Sequence, residues 1–256
     1  MTPPLLEVCG VSKQFGGLHV LRGVNLSIGA GELRCIIGPN GCGKTTLFNI
    51  ITGAFSPTAG TVRFRGEDIT GRAPHAISRL GIARKFQVPG IYPTLAVAEN
   101  VEIALLSRRG IAGPWSLLRA GTRVAARLHG LLARFDLSLQ AVRGAGTLPH
   151  GQKQWLEIAM LIGTDAQILL LDEPTVGMSA TETSATVELI RHLQHEHGIA
   201  ALVIEHDMNF VRRLACPVVV MLRGSVLFEG GYAEVQAHPE VREAYLGHSA
   251  RMTPGG

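Results

Sequence analysis

The chain has 256 residues, 46% of them hydrophobic and 17% charged, with 31 glycines and a formal charge of +4. These figures exclude a disordered chain and suit one large α/β domain, or such a core with a smaller inserted subdomain. No apolar run approaches the roughly 18 to 20 residues of a membrane helix, so a soluble, cytoplasmic chain is expected.

Residues 1 to 37 are expected to be β-rich, with "LLEVCGVSKQF", "VNLSI" and "GELRCII" separated by turns such as "IGAGE". The opening "MTPPLLEVCG" has neither a basic n-region nor a long apolar h-region, and no export signal is read there. "TAGTVRFRGEDI" predicts a further strand pair. From about Pro93 the period becomes helical, in "TLAVAENVEIALL" and then "RVAARLHGLLARFDL", with "GIAGPW" breaking the two. Between Pro89 and Thr147 seven arginines and no lysine stand against Glu99, Glu102 and Asp136. Three readings of that basic segment stand: nucleic-acid binding, a surface near anionic lipid or an acidic partner, and a solvated helical face.

After Leu148 an amphipathic helix places Trp155, Ile158, Ala159 and Ile162 on one side. "AQILLLDEP" is an unbroken apolar run, as a strand covered on both faces requires. A helix ("ATETSATVELIRHLQHEH"), a strand ("AALVIEH"), a helix ("DMNFVRRLA") and a strand ("PVVVML") follow. This alternation predicts a parallel sheet. His192, His195 and His197 fall at a Gly-ended helix C-terminus, which favours cationic residues anyway, and are not read as a metal site. Cys9, Cys35, Cys42 and Cys216 show no CxxC spacing, which fits a reducing compartment.

"CIIGPNGCGKTTLFNIITG" carries Gly38, Gly43, Lys44 and Thr45 in G-x-x-x-x-G-K-[ST] register, between an apolar strand and an apolar helix. Glycines there let backbone N–H groups turn inward around phosphate oxygens, and the helix N-terminus adds partial positive charge. Residues Gly38, Pro39, Asn40, Gly41, Cys42, Gly43, Lys44, Thr45 and Thr46 are therefore expected to cradle the phosphates of a nucleoside triphosphate. Lys44 would reach the β- and γ-phosphates, and the Thr45 hydroxyl would hold Mg²⁺. In "ILLLDEP" the strand ends in Asp172, a carboxylate for the Mg²⁺ shell acting through water, and Glu173 can orient and activate a water for in-line attack. Together the two motifs predict a nucleoside triphosphatase. Cys42 has two readings: a thiol activated by the helix N-terminus, whose alkylation blocks ATP, and the favoured one, a small filler without redox role.

With those motifs placed, nearly the whole chain resembles an ATP-binding cassette (ABC) ATPase. Phe15 in "SKQFGG" matches the aromatic that stacks on adenine in that family. Gln87 in "RKFQ" matches the glutamine that senses Mg²⁺ and water, and His206 in "VIEHDM" the histidine that contacts the γ-phosphate. "LPHGQ", comprising Leu148, Pro149, His150, Gly151 and Gln152, occupies the place of the LSGGQ signature. "FGGLHVLRGVNL", "TLAVAENV", "HGQKQWLEIAM" and "PEVREAYLG" resemble the importer branch for branched-chain amino acids and urea, "HGQKQWLEI" its urea-type ATPase in particular. The resemblance implies an α/β P-loop NTPase fold with three parts: a RecA-like, mostly parallel core, an antiparallel β subdomain and an inserted helical subdomain. The expected boundaries are one domain over 1–250, with core and β subdomain in 1–87 and 149–250, helical subdomain in 88–148, and a disordered tail at 251–256.

The same resemblance implies the cofactors ATP and Mg²⁺ and catalytic roles for Glu173, His206, Gln87 and Lys44, with Thr45, Gln87 and Asp172 around the metal. It implies transmembrane permease partners and a second ATPase subunit, giving a heterodimer in the cell with a homodimer possible in isolation. A periplasmic or extracellular solute-binding protein would act indirectly, no nucleic acid is expected, and the chain would sit peripherally on the inner face of the cell membrane. Urea or a short amide is the leading solute, branched-chain or other amino acids the second, and lipopolysaccharide export the third. A non-transport ABC ATPase and a non-hydrolysing regulatory cassette remain as other classes.

Two departures from the family pattern stand out. In that family two cassettes sandwich ATP head to tail, and the signature of one caps the γ-phosphate held by the other. Its serine normally supplies a hydroxyl, whereas Pro149 has neither hydroxyl nor N–H. One lost hydrogen bond to a charged group costs about 1.5 to 3 kcal/mol, roughly 10- to 100-fold. Proline suits a first helical position, so the helix is expected to start at Pro149 and the site to be weakened, not dead. Ser179 stands where many cassettes carry aspartate.

Overall fold

The computed structural model describes residues 3–85, 90–107 and 114–243, and for 114–123 the backbone alone. Gln87, the "GIAGPW" break in part, and the tail at 251–256 lie outside the described residues.

The chain opens with a hairpin of β1 (Leu6–Phe15) and β2 (Leu18–Ile28), followed by β3 (Leu33–Ile37) and α1 (Lys44–Ile51). Next come β4 (Ala59–Phe64), β5 (Glu67–Asp68), α2 (Pro74–Leu80) and β6 (Ile82–Lys85). Two helices, α3 (Val97–Ser107) and α4 (Pro114–Arg134), lead to α5 (His150–Gly163) and β7 (Ile168–Asp172). The remainder is α6 (Ala180–His197), β8 (Ala200–Ile204), α7 (Met208–Leu214), β9 (Val218–Leu222), β10 (Ser225–Gly230) and α8 (Tyr232–Ala237).

Two sheets result. One is antiparallel in the order β2-β1-β4-β5. The other runs β10-β9-β3-β8-β7-β6, parallel throughout except for the antiparallel β10 edge. Every residue of β7 is buried, as the unbroken apolar run requires. Because side chains alternate along a strand, Ile168 and Leu170 join the core around α1 and the antiparallel sheet. Leu169 and Leu171 join the core shared with α3, α4, α5, α6 and α7. The helix α1 is thus clamped between the two sheets, with Leu47, Phe48, Ile50 and Ile51 buried.

Four elements escaped the sequence reading, namely α2, β6, β10 and α8. The sequence held a signal for α2, with Pro74 opening the helix and Gly81 closing it in a left-handed conformation. A one-residue correction falls on the signature helix, where α5 starts at His150 and Pro149 is its N-cap with φ −53° and ψ 156°. Leu148 is buried and extended, as residues before proline prefer, and the extended course continues through Pro149. The Pro149 carbonyl accepts the Lys153 N–H at 3.1 Å, so the helix closes properly, but no side chain caps it. The end of α6 is as expected, with Gly198 left-handed after His195 and His197 in the last turn.

Candidate active site

The loop between β3 and α1 lies at the carboxyl end of the parallel sheet, where open α/β folds hold their ligands. Its shape is set by Gly43, whose φ is 105°; a Cβ there would meet Leu21 Cδ2 at 2.5 Å and the Val20 carbonyl at 3.0 Å. Lys44 is buried and folds back on its own loop, Nζ donating to the Gly38 carbonyl at 2.7 Å and to Pro39 at 3.1 Å. The loop is therefore already closed around an ammonium group. Asn40, Gly41 and Thr45 are exposed, and Pro39 and Thr46 are half-buried.

Asp172, the last residue of β7, is 1% exposed. Its Oδ2 accepts from Arg84 Nη2 at 3.0 Å. Arg84 also donates through Nη1 to Asn49 Oδ1 of α1 at 2.5 Å and lies over the Phe48 ring at 5.5 Å. Burial pushes the Asp172 carboxyl above its ordinary value, and the Arg84 guanidinium works against that shift. Asp172 Oδ1 is buried and has no hydrogen-bond partner among the described residues. A spare carboxylate oxygen and an exposed Thr45 hydroxyl fit the all-oxygen donor set of Mg²⁺, which keeps several waters.

Glu173 follows in a left-handed backbone conformation, φ 48°, fixed by its N–H donating to the Ile204 carbonyl at 2.9 Å. Its Oε1 lies 3.0 Å from His206 Nε2; Glu173 is half-buried and His206 exposed. A residue that sequence reasoning overlooked holds this pair together. Glu205 is buried; Oε1 accepts from the Thr175 N–H at 3.2 Å and hydroxyl at 2.6 Å, and Oε2 from the N–H groups of His206 at 3.0 Å and Asp207 at 3.5 Å. Arg84 and Asn49 were overlooked as well.

Phe15 ends β1 and is 43% exposed, packing edge-on against Phe55 with centroids 5.4 Å apart. Lys13 Nζ sits 4.9 Å from the Phe15 centroid and donates to the Ser56 carbonyl at 2.7 Å. An exposed aromatic braced this way can stack on a base.

Among the described residues no hydrogen bond or ion pair joins the turn at 148–152 to the loop at 38–46. The turn is bonded instead to the segment after Glu173. His150 Nε2 lies 2.9 Å from the Val176 carbonyl. Gly151 is buried against Glu182, and a Cβ there would come within 2.1 Å of Glu182 Oε1. Glu182 in turn accepts from the Ser179 N–H at 2.9 Å, while the Ser179 hydroxyl caps α6. The Ser179 side chain is thus committed to its own helix. Gln152 is half-buried.

The model of the family described as "ABC transporter" matches residues 21–176. The chain belongs to that family. A second model, "Branched-chain amino acid ATP-binding cassette transporter", matches residues 225–251. The cassette is 38% identical to the high-affinity branched-chain amino acid transport ATP-binding protein BraF of Pseudomonas aeruginosa, over 97% of this chain and 100% of that protein. It is 36% identical to LivG of Escherichia coli, a protein of the same description, with the same coverage. Among solved structures, an ATP-binding cassette of an ABC transporter in its ADP conformation superposes with a TM-score of 0.82 at 29% identity, covering 96% of this chain and 100% of the other. The protein is accordingly an ATPase of P-loop ABC fold that uses ATP and Mg²⁺. When bound, the metal supplies charge neutralisation at the β- and γ-phosphates.

Within the cassette, burial pushes the Cys42 thiol up despite the neighbouring Lys44 ammonium. Burial of Cys42 thus works against activation by the helix N-terminus. Iodoacetamide at neutral pH should modify exposed Cys9 roughly tenfold or more faster than Cys42, without nucleotide. Peptide mass spectrometry over time checks this; Cys42 labelled first, with Mg-ATP protecting it, would restore the reactive reading.

Proposed function

We propose that this cassette drives an importer for branched-chain amino acids, with Lys44 and the amides of residues 38–46 holding ATP and Glu173 activating the attacking water. The observation that carries the solute is the likeness, over essentially whole chains, to BraF and LivG, joined by the branched-chain amino acid family match over residues 225–251. This reverses the order drawn from the signature alone, where urea stood first. Urea remains the second reading because His150 stands in "HGQKQWLEI", the stretch that resembles the urea-type subunit.

In this reading Phe15 stacks on adenine, and Thr45, Gln87 and Asp172 surround Mg²⁺. His206 contacts the γ-phosphate, and the turn Leu148–Gln152 caps the nucleotide of a second cassette. The segment 88–148 accepts the cytoplasmic helices of permease subunits. The partner cassette is a different ATPase subunit, and a solute-binding protein delivers the solute on the far side of the membrane. ATP closes the pair of cassettes and hydrolysis reopens it.

The test is uptake of radiolabelled leucine and urea by cells expressing the chain or its Lys44→Ala variant from the native locus. Leucine uptake should fall to background in the variant while urea uptake stays. Loss of urea uptake alone would select the second reading, and unchanged uptake of both would end the importer assignment for these solutes.

A further inference from the structure

The imidazole of His150 occupies the heart of the signature, where a contact to the partner's phosphate is the obvious role. The geometry points elsewhere. A carbonyl oxygen only accepts, so the 2.9 Å contact to Val176 puts the ring proton on Nε2. In the neutral ring Nδ1 is then a bare acceptor with nothing to donate to a phosphate oxygen. The Gln154 amide nitrogen lies 3.2 Å from the same nitrogen, so with the proton on Nε2 the amide bonds the ring by turning its oxygen, which has no hydrogen-bond partner among the described residues, toward it. Gly177 packs against the ring so closely that a methyl there would stand 3.2 Å from it. The ring is therefore held from three sides by its own chain.

What it holds is the segment that follows Glu173. Val176 accepts from His150 through its carbonyl, and its N–H donates to the Glu173 carbonyl at 3.3 Å. Two consecutive hydrogen bonds thus run from the signature turn to the backbone of the catalytic carboxylate. A second tie runs beside them, from Gly151 packed on Glu182 to Ser179, whose N–H Glu182 binds.

We infer that His150 is a positioning residue that couples the signature turn to the Glu173 segment of its own chain, so that engagement of the partner's nucleotide is felt at this cassette's catalytic carboxylate. The inference rests on the ATPase reading above. It also means that a neutral His150 ring does not replace the hydroxyl missing at Pro149.

The experiment uses His150→Gln, His150→Asn and His150→Ala in the full chain. Glutamine places an amide nitrogen where Nε2 stands, and asparagine places one near Nδ1. His150→Gln should keep kcat within about twofold, whereas His150→Asn and His150→Ala should lose roughly tenfold, the worth of one hydrogen bond. The dissociation constant for Mg-ATP should stay within about twofold in all three, because residues 38–46 hold this chain's nucleotide. Parental kcat in His150→Ala, or activity kept by Asn and lost by Gln, would overturn the inference. Imidazole ¹⁵N shifts of the unmodified chain provide an independent measurement: a proton on Nε2 supports the inference and a proton on Nδ1 overturns it. Should the parent neither bind nor hydrolyse Mg-ATP, the ATPase reading fails, and those shifts still decide the placement of the His150 proton.

Discussion

Glu173→Gln should reduce phosphate release by roughly 10²- to 10⁴-fold while leaving Mg-ATP binding intact. The substitution keeps size and shape, so the left-handed backbone at 173 and its bond to Ile204 survive. It removes only the proton acceptor now facing His206 at 3.0 Å. Binding rests on a different part of the molecule, the loop already folded around Lys44. The contrast with Lys44→Ala is diagnostic, since that change should abolish binding first and turnover as a consequence. Equilibrium nucleotide titration and a phosphate-release assay separate the two. If Glu173→Gln released phosphate within a few-fold of an active parent, another base would have to be sought.

Arg84→Leu should be the most damaging substitution for stability. Arg84 and Asp172 are both nearly inaccessible, and removing one partner of a buried pair costs about 3 to 5 kcal/mol, of which the nearby Lys85 ammonium offsets a part. The contact to Asn49 is lost as well, loosening α1 from the sheet. The pH dependence has a definite sign. Burial already holds the Asp172 carboxyl above its ordinary range and Arg84 opposes that, so the variant's folded-state value lies higher still. A carboxyl that binds its proton more tightly when folded loses stability as pH rises from the unfolded value through the folded one. The deficit against the parent should therefore be full in mildly alkaline buffer and shrink toward about pH 4 to 5, near the unfolded carboxyl range. Urea unfolding in EDTA at several pH values measures it; a deficit under about 1 kcal/mol at alkaline pH, or one that grows on acidification, would contradict the role given to Arg84.

The parts of this protein legible in sequence are those built from neighbours along the chain. The phosphate loop announces itself because glycines, lysine and threonine stand in one short window between a strand and a helix. The buried strand β7 is legible because five consecutive apolar or terminal acidic residues admit one kind of environment. Arg84 carried no such sign, because its meaning comes from Asp172, far along the chain, and from Asn49 on another element. Glu205 was equally silent: nothing in "VIEHDM" marks it, and only the fold brings Thr175 to it. Cys42 shows the same limit, since a helix N-terminus is local but the packing that overrides it is not. The start of α5 was misplaced by a single residue, where buried Leu148 and the pre-proline restriction set the boundary rather than helical preference.

Glu205 has a dynamic consequence. Its two oxygens tether backbone groups around the Glu173–His206 pair, Thr175 after Glu173 and His206 with Asp207 beyond it. Two loops hung from one buried anchor fluctuate in concert, so the gap separating the carboxylate from the imidazole varies less than the displacement of either loop against the sheet. A water bound beside the two groups would ride with both through thermal motion, keeping its alignment without either loop being rigid.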